Sequence, residues 1–386
     1  MIQRILTNKL FAFKDYMSIV SLTGPRQSGK TTLVRATFPN YIYINLENPN
    51  MREIALNDPV SFLDKARLKG IIIDEAQHAP ELFSYIQAFV DEHKQARFVL
   101  TGSQNFLLSE KINQSLAGRV RILNLLPLSM REISQSYSIA HAETFIYKGG
   151  YPRLYMTNMD VEDWYVDYIQ TYVERDVRQI ININSLNQFQ VFLKLCAGRI
   201  GQVINYTSLA NEVGVRDTTI RNWINLLEAS YILYTLKPYY KNFGKRLVKA
   251  PKIYFYDTGI ACALLDIKNE KQLENHYLKG GLFENFIINE IVKSYTHQGK
   301  RPSIYYWRES NGIEIDLLVE KKGQLVPLEI KSAKTLKLSL SKNINSFQKL
   351  HKDNAAMGYI VYGGEESFNN FISWRKIDSL IQSDLL

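Results

Sequence analysis

The chain has 386 residues, 46% hydrophobic and 22% charged, the balance of a soluble globular protein and too long for one ordinary core. No run of about 18 apolar residues appears, so no membrane span is expected, and Cys196 and Cys262 are too few and too far apart for a disulfide framework. A formal net charge of +9 favours a polyanionic partner, either nucleic acid or an acidic surface.

The N-terminal stretch lacks the apolar core and cleavage site of a signal peptide, so a cytoplasmic location is expected. Apolar runs at 18–23, 41–46, 70–73 and 97–101, each followed by a loop or helical pattern, predict a parallel α/β sheet. The first run leads into Gly24-Pro25-Arg26-Gln27-Ser28-Gly29-Lys30-Thr31, a full G-x-x-x-x-G-K-[ST] match between strand and helix. Such a loop turns backbone N–H groups toward the phosphates of ATP or ADP. Lys30 is expected to reach the β- and γ-phosphates, the Thr31 hydroxyl to ligate Mg²⁺, and Thr32 to complete the set.

The third run, Ile71-Ile72-Ile73-Asp74-Glu75, is expected beside the P-loop strand. Asp74 would hold Mg²⁺ through water, and Glu75 would orient and polarise the attacking water. The alternative is an acidic pair that caps the next helix. The fourth run ends in Thr101-Gly102-Ser103-Gln104-Asn105, which resembles the first sensor of AAA+ ATPases. Ser103, Gln104 and Asn105 are each candidates to bond the γ-phosphate or its water, although a plain turn suits the same residues. Arg119, after Leu116-Ala117-Gly118, is a candidate to stabilise transition-state charge across a subunit interface, which implies a homo-oligomer. Pairing with Glu110 or Glu132 on its own surface is the alternative.

Around Pro127 the alternation stops, and from 162 to about 230 the spacing turns mostly helical. A boundary is expected within 125–150, near the turn Gly149-Gly150-Tyr151-Pro152. Residues 206–228 predict a short helix, a turn at Gly214 and a second helix from Asp217 or Thr218, a helix-turn-helix. Ala210, Val213, Ile220, Trp223 and Leu227 would pack the pair, leaving Arg216, Thr219, Arg221 and Asn222 outward. Strand-like runs at 231–236 and 247–256 flank 237–246, which reads as a wing. The stretch 237–252 carries Lys237, Lys241, Lys245, Arg246, Lys249 and Lys252 without an acid, interleaved with Tyr239, Tyr240 and Phe243. Lysines among aromatics suit a phosphate backbone, so DNA is the expected partner and a protein the alternative.

From Gly280 a helix at 282–295 gives way to strands at 303–308, 313–320 and 324–332, then a helix and a final strand at 357–362. Residues two apart on a strand share a face, so Glu314 with Asp316, and Glu329 with Lys331, point together. With Glu284 on the preceding helix, three carboxylates, Glu284, Asp316 and Glu329, can converge on Mg²⁺ while Lys331 orients a hydrolytic water. Exposed alternating charges on two antiparallel strands are the alternative.

These motifs, with Tyr172-Val173-Glu174-Arg175-Asp176-Val177, resemble a bacterial and archaeal family in which an AAA+ ATPase is fused to a winged-helix region and a restriction-endonuclease-like domain of unassigned function. The resemblance covers nearly the whole chain. It implies ATP binding, an AAA+ core and a PD-(D/E)xK-type C-terminal fold, although no proline precedes Asp316 here. The run 172–178, read as a helix of mixed charge, carries Arg175 and Arg178, which either pair along its surface or reach nucleotide or a neighbouring subunit. The expected organisation is an α/β chain with a P-loop AAA+ domain over 1–135, a helical and winged-helix region over 136–275, and a restriction-endonuclease-like α/β domain over 276–386. Its expected function is ATP hydrolysis coupled to action on DNA, and the alternative is a nucleotide-gated protein-interaction switch.

Overall fold

The computed structural model describes residues 2–102, 115–173, 186–240, 249–309, 312–335, 337–383 and 386. Ser103, Gln104, Asn105 and Glu110, the run Glu174 to Arg178, and Lys241, Phe243, Lys245 and Arg246 lie outside the described residues. Packing divides the chain into two units. The first is Met1–Leu128 with Ala229–Tyr231 and Thr296–Lys300, and the second holds the remainder. Unit two holds both the helical middle and the C-terminal strands.

Unit one is built on β1 (Ile19–Thr23), β2 (Ile42–Asn45), β3 (Ile71–Asp74), β4 (Phe98–Gly102) and β5 (Val120–Asn124), all parallel, in the order β2-β3-β4-β1-β5. Alternate side chains go to opposite faces, which is why near-continuous apolar runs form these strands. Ile19, Ile71, Ile73, Phe98 and Leu100 join the core over helix Leu82–Glu92, which adds Phe83, Ile86 and Val90. Val20, Leu22, Ile72 and Val99 join the other core, closed by Leu6 and Leu10 of helix Leu6–Phe13 and by Leu33 and Val34 of helix Lys30–Thr37. The expectation that Asp74 lies on the strand beside the P-loop strand is corrected. Phe98 of β4 pairs with Ile19 on one side and Ile71 on the other, so β4 separates them. The four apolar runs are too alike for their order to be readable from sequence.

In unit two, helices Leu186–Ala197, Tyr206–Val213 and Asp217–Ala229 precede an antiparallel pair, β6 (Leu233–Leu236) and β7 (Lys252–Phe255). Ala210, Val213, Ile220, Trp223 and Leu227 are all buried, with Trp223 against Phe189 and Phe192 at ring distances of 5.3 and 5.2 Å. Gly214, at φ 75°, ends the first helix of the predicted pair. The second sheet runs β12-β11-β10-β9-β8, where β8 is Ile304–Arg308, β9 Glu314–Lys321, β10 Gln324–Lys331, β11 Tyr359–Tyr362 and β12 Phe371–Ser373. The β8-β9-β10 part is antiparallel and the β10-β11-β12 part parallel; β12 was not among the expected strands.

Gly149, at φ 65°, ends helix Ala142–Lys148, and Tyr151 just after it is fully buried among Trp164, Tyr165 and Tyr168. Lys252 is not part of a solvated basic run: it sits on β7 with its side chain only 4% exposed, drawn inward by acids distant in sequence.

Candidate functional site

The loop after β1 is shaped by three residues with positive φ: Gly24 (151°), Gln27 (60°) and Gly29 (93°). A Cβ at Gly24 would meet the Leu125 carbonyl oxygen at 2.2 Å, so only glycine fits the approach of loop to the chain after β5. Gly29 precedes helix Lys30–Thr37, whose first turn receives no side-chain cap, leaving its N–H groups for an anion. Arg4 holds the loop from outside the motif, donating to the Ser28 carbonyl at 2.7 Å and to the Leu126 carbonyl at 2.6 Å. Thr23, just before Gly24, bonds Asn124 (2.7 Å) and meets the Tyr231 hydroxyl (2.8 Å).

Lys30 is buried, and its ammonium donates to the carbonyls of Gly24 (3.0 Å) and Pro25 (2.9 Å). Burial lowers its pKa to about 8, against the opposing pull of Glu75 and Asp74. Asp74, at the C-terminal end of β3, accepts from three hydroxyls: Thr31 (2.8 Å), Tyr43 (2.6 Å) and Thr101. Burial and the Asp74 bond push the Tyr43 phenol well up, so it stays a donor. Glu75 has φ 54°, a conformation costly for a non-glycine residue, and accepts from Gln77 Nε2. Thr31, Thr32, Arg35, Tyr41 and Tyr43 line an adjoining cavity of about 560 Å³.

Thr31 Oγ1 and the Asp74 carboxylate are hard oxygen donors in mutual contact at the end of the phosphate loop, which fits Mg²⁺. Sequence reasoning missed Arg4, Tyr43 and Thr101: Arg4 lies outside the motif, and the other two are ordinary strand residues until β2 and β4 flank β3. Arg119 forms a bidentate pair with Asp91, at 2.7 and 2.6 Å, rather than with Glu132.

The C-terminal residues also meet, but not as an open metal cage. The β9–β10 ladder reaches Leu317↔Leu328, and one residue on the Asp316 carboxylate accepts the Ile330 N–H at 2.8 Å. Lys331 Nζ lies 2.9 Å from Asp316 and 2.6 Å from Glu329. Lys252 Nζ lies 2.5 Å from Glu314 and 3.4 Å from Glu284, whose same oxygen accepts from the Tyr254 hydroxyl at 2.5 Å. Burial, then Asp316, raises the pKa of Glu284 to about 7 and that of Glu329 to about 8, against the nearby lysines. Around Lys252 burial opposes the charge, yet Glu284, Glu314 and Asp316 outweigh it and raise its pKa. Among the described residues no three His, Cys, Asp or Glu side chains gather to hold a metal ion. Besides the expected Lys331, a second ammonium, that of Lys252, therefore lies among the acids of the expected Mg²⁺ set of Glu284, Asp316 and Glu329.

Of the residues predicted to face outward, Arg216, just before helix Asp217–Ala229, and Arg221 and Asn222 on it are exposed, and Thr219 is half-buried. Arg221 is partly engaged, paired with Asp217 at 3.2 Å and stacked 3.9 Å over the Tyr206 ring. No described helix is long and apolar enough to cross a membrane.

An AAA domain profile matches residues 17–134, and two domains of unknown function, DUF8612 and DUF4143, match 139–271 and 279–377. Uncharacterized proteins of Mycobacterium tuberculosis and Mycobacterium bovis are each 34% identical over 358 residues, covering 91% of this chain and 77% of the relative. An uncharacterized protein of Methanocaldococcus jannaschii is 23% identical over 381 residues, covering 89% of this chain and 81% of its own. Among solved structures, a Walker-type ATPase of Pyrococcus abyssi is similar over 68% of this chain and 96% of its own, with 14% identity and a TM-score of 0.43. A point variant of RuvB from Thermotoga maritima is similar over 60% and 86%, with 16% identity and a TM-score of 0.27.

Proposed function

The chain belongs to the AAA-type ATPase family that includes the two mycobacterial proteins, and on that premise we propose that it hydrolyses ATP and uses the turnover to act on DNA. The observation that carries the hydrolytic reading is Asp74 joined to Thr31 beside buried Lys30. Bound at Thr31 and Asp74, Mg²⁺ would supply charge neutralisation of the phosphates. Lys30 exchanges the carbonyls of Gly24 and Pro25 for β- and γ-phosphate oxygens, Thr32 and the backbone N–H groups of residues 26–29 hold the remaining charge, and Glu75 orients and polarises the attacking water. Ser103, Gln104 or Asn105 bonds the γ-phosphate or that water. Arg119 leaves Asp91 to reach a neighbouring protomer's nucleotide, so Arg119→Ala lowers turnover without weakening ATP binding.

The DNA reading rests on the exposed Arg216, just before the second helix, and Asn222 on it, the expected base-facing helix of a winged helix, and on the basic run that includes Lys237, Lys241, Lys245, Arg246 and Lys249. The test is ATPase turnover of the wild type and Lys30→Ala with duplex, single-stranded and branched DNA. Salt-sensitive stimulation of the wild type by one of these is expected, and Lys30→Ala should stay inactive with all of them. A second reading, a nucleotide-gated switch that contacts proteins, is favoured by the Arg221–Asp217 pair and the ion-paired carboxylates of unit two. Turnover indifferent to every DNA would select it.

A further inference from the structure

Glu284 comes from helix Lys279–His297, Glu314 and Asp316 from β9, and Glu329 from β10, an arrangement that in metal-assisted hydrolysis would face one cation with open positions. Lys331 is accounted for by that chemistry; Lys252 is not. It comes from β7, upstream of the whole C-terminal sheet, and its ammonium enters between Glu284 and Glu314.

The lysine is delivered by rigid backbone. Lys252 pairs with Leu236 of β6 on one side and forms an antiparallel bridge with Val203 on the other. Its backbone is held on both edges and its side chain is only 4% exposed, so the ammonium sits among the acids and away from water. The oxygen of Glu284 that it meets is also taken by Tyr254, two residues along the same strand and fully buried. Among the described residues, β7 thus supplies two hydrogen-bond partners of Glu284.

We infer that Lys252 is a tethered cation occupying the carboxylate position that a divalent metal would otherwise take, so that the C-terminal cluster is closed to metal. An ammonium attached to the chain competes with free Mg²⁺ at a high effective concentration, and displacing it would strand a buried charge. The inference is independent of the nucleotide site. It bears on the far end of the proposed function: unit two contacts its partner without metal-assisted cleavage, and only movement of β7 would open the cluster.

The test is Mn²⁺ titration of the full-length, nucleotide-free chain, read from the EPR signal of free Mn²⁺, in an Asp74→Asn background that removes the nucleotide-site carboxylate. With Lys252 present, uptake should not change on adding Glu284→Gln. Lys252→Met should gain one Mn²⁺ per chain, at least about 10-fold tighter than any uptake before, and lose it again when Glu284→Gln is added. A Glu284-dependent Mn²⁺ site in the chain that keeps Lys252 overturns the inference, as does a folded Lys252→Met protein that gains none. If Lys252→Met does not fold, Lys252→Gln replaces it, and the comparison with and without Glu284→Gln in the Lys252 chain decides by itself.

Discussion

At the scale of single residues, the nucleotide site depends on two protonation and hydrogen-bond details. Burial holds Lys30 near a pKa of about 8, so the free protein loses this ammonium within the ordinary experimental range. Phosphates bind the charged form, hence ATP affinity should be level below about pH 7 and fall as pH rises through 8. Fluorescent-nucleotide binding at pH 7 and pH 9 should differ on the order of 10-fold, and Lys30→Ala should bind weakly and equally at both. Tyr43 has a different part. Its hydroxyl and that of Thr31 share one oxygen of Asp74, which fixes the carboxylate toward Thr31. Tyr43→Phe should leave Mg²⁺-free nucleotide binding unchanged while raising the Mg²⁺ needed for half-maximal turnover about 10-fold, measured by Mg²⁺ titration of ATPase activity.

At the scale of elements, local spacing was legible and lateral order was not. The apolar runs locate β1 to β4 within a residue or two, because a doubly covered parallel strand must be apolar on both faces. Which strand neighbours which depends on packing of whole layers, so the insertion of β4 between β1 and β3 left no local mark. The glycine pair at 149–150 shows the same limit from the other side. A sequence rule reads it as a turn, yet the structure uses it for close approach. Asp257, buried, accepts from the Gly150 N–H at 2.7 Å and the Tyr165 hydroxyl at 2.6 Å, and a Cβ at Gly149 would lie 2.1 Å from that hydroxyl, at φ 65°. Gly149→Ala should therefore destabilise unit two by about 2–4 kcal/mol in denaturant unfolding, whereas an exposed-loop turn would lose far less.

At the scale of the whole molecule, net charge pointed to a polyanion, but it could not say where each charge resides. Lys252 belongs to a basic run by position and to an acidic cluster by structure, because Glu284 and Glu314, 32 and 62 residues downstream, reach it only after folding. The same cluster sets the pH dependence of stability. Glu284 and Glu329 are raised by burial to about 7 and about 8, well above a free glutamate, so between those values and about 4.5 the native chain binds more protons than the unfolded one. Stability must then fall as pH rises, in contrast to proteins whose paired carboxylates titrate low. Lys331 and Lys252, both raised, remain charged throughout this window and add no slope. Urea unfolding of unit two should show a loss of several kcal/mol between pH 5 and pH 8. Glu329→Gln keeps the neutral shape without the titration, so its profile should be flatter than that of the wild type, and a parallel profile would assign the slope to other groups.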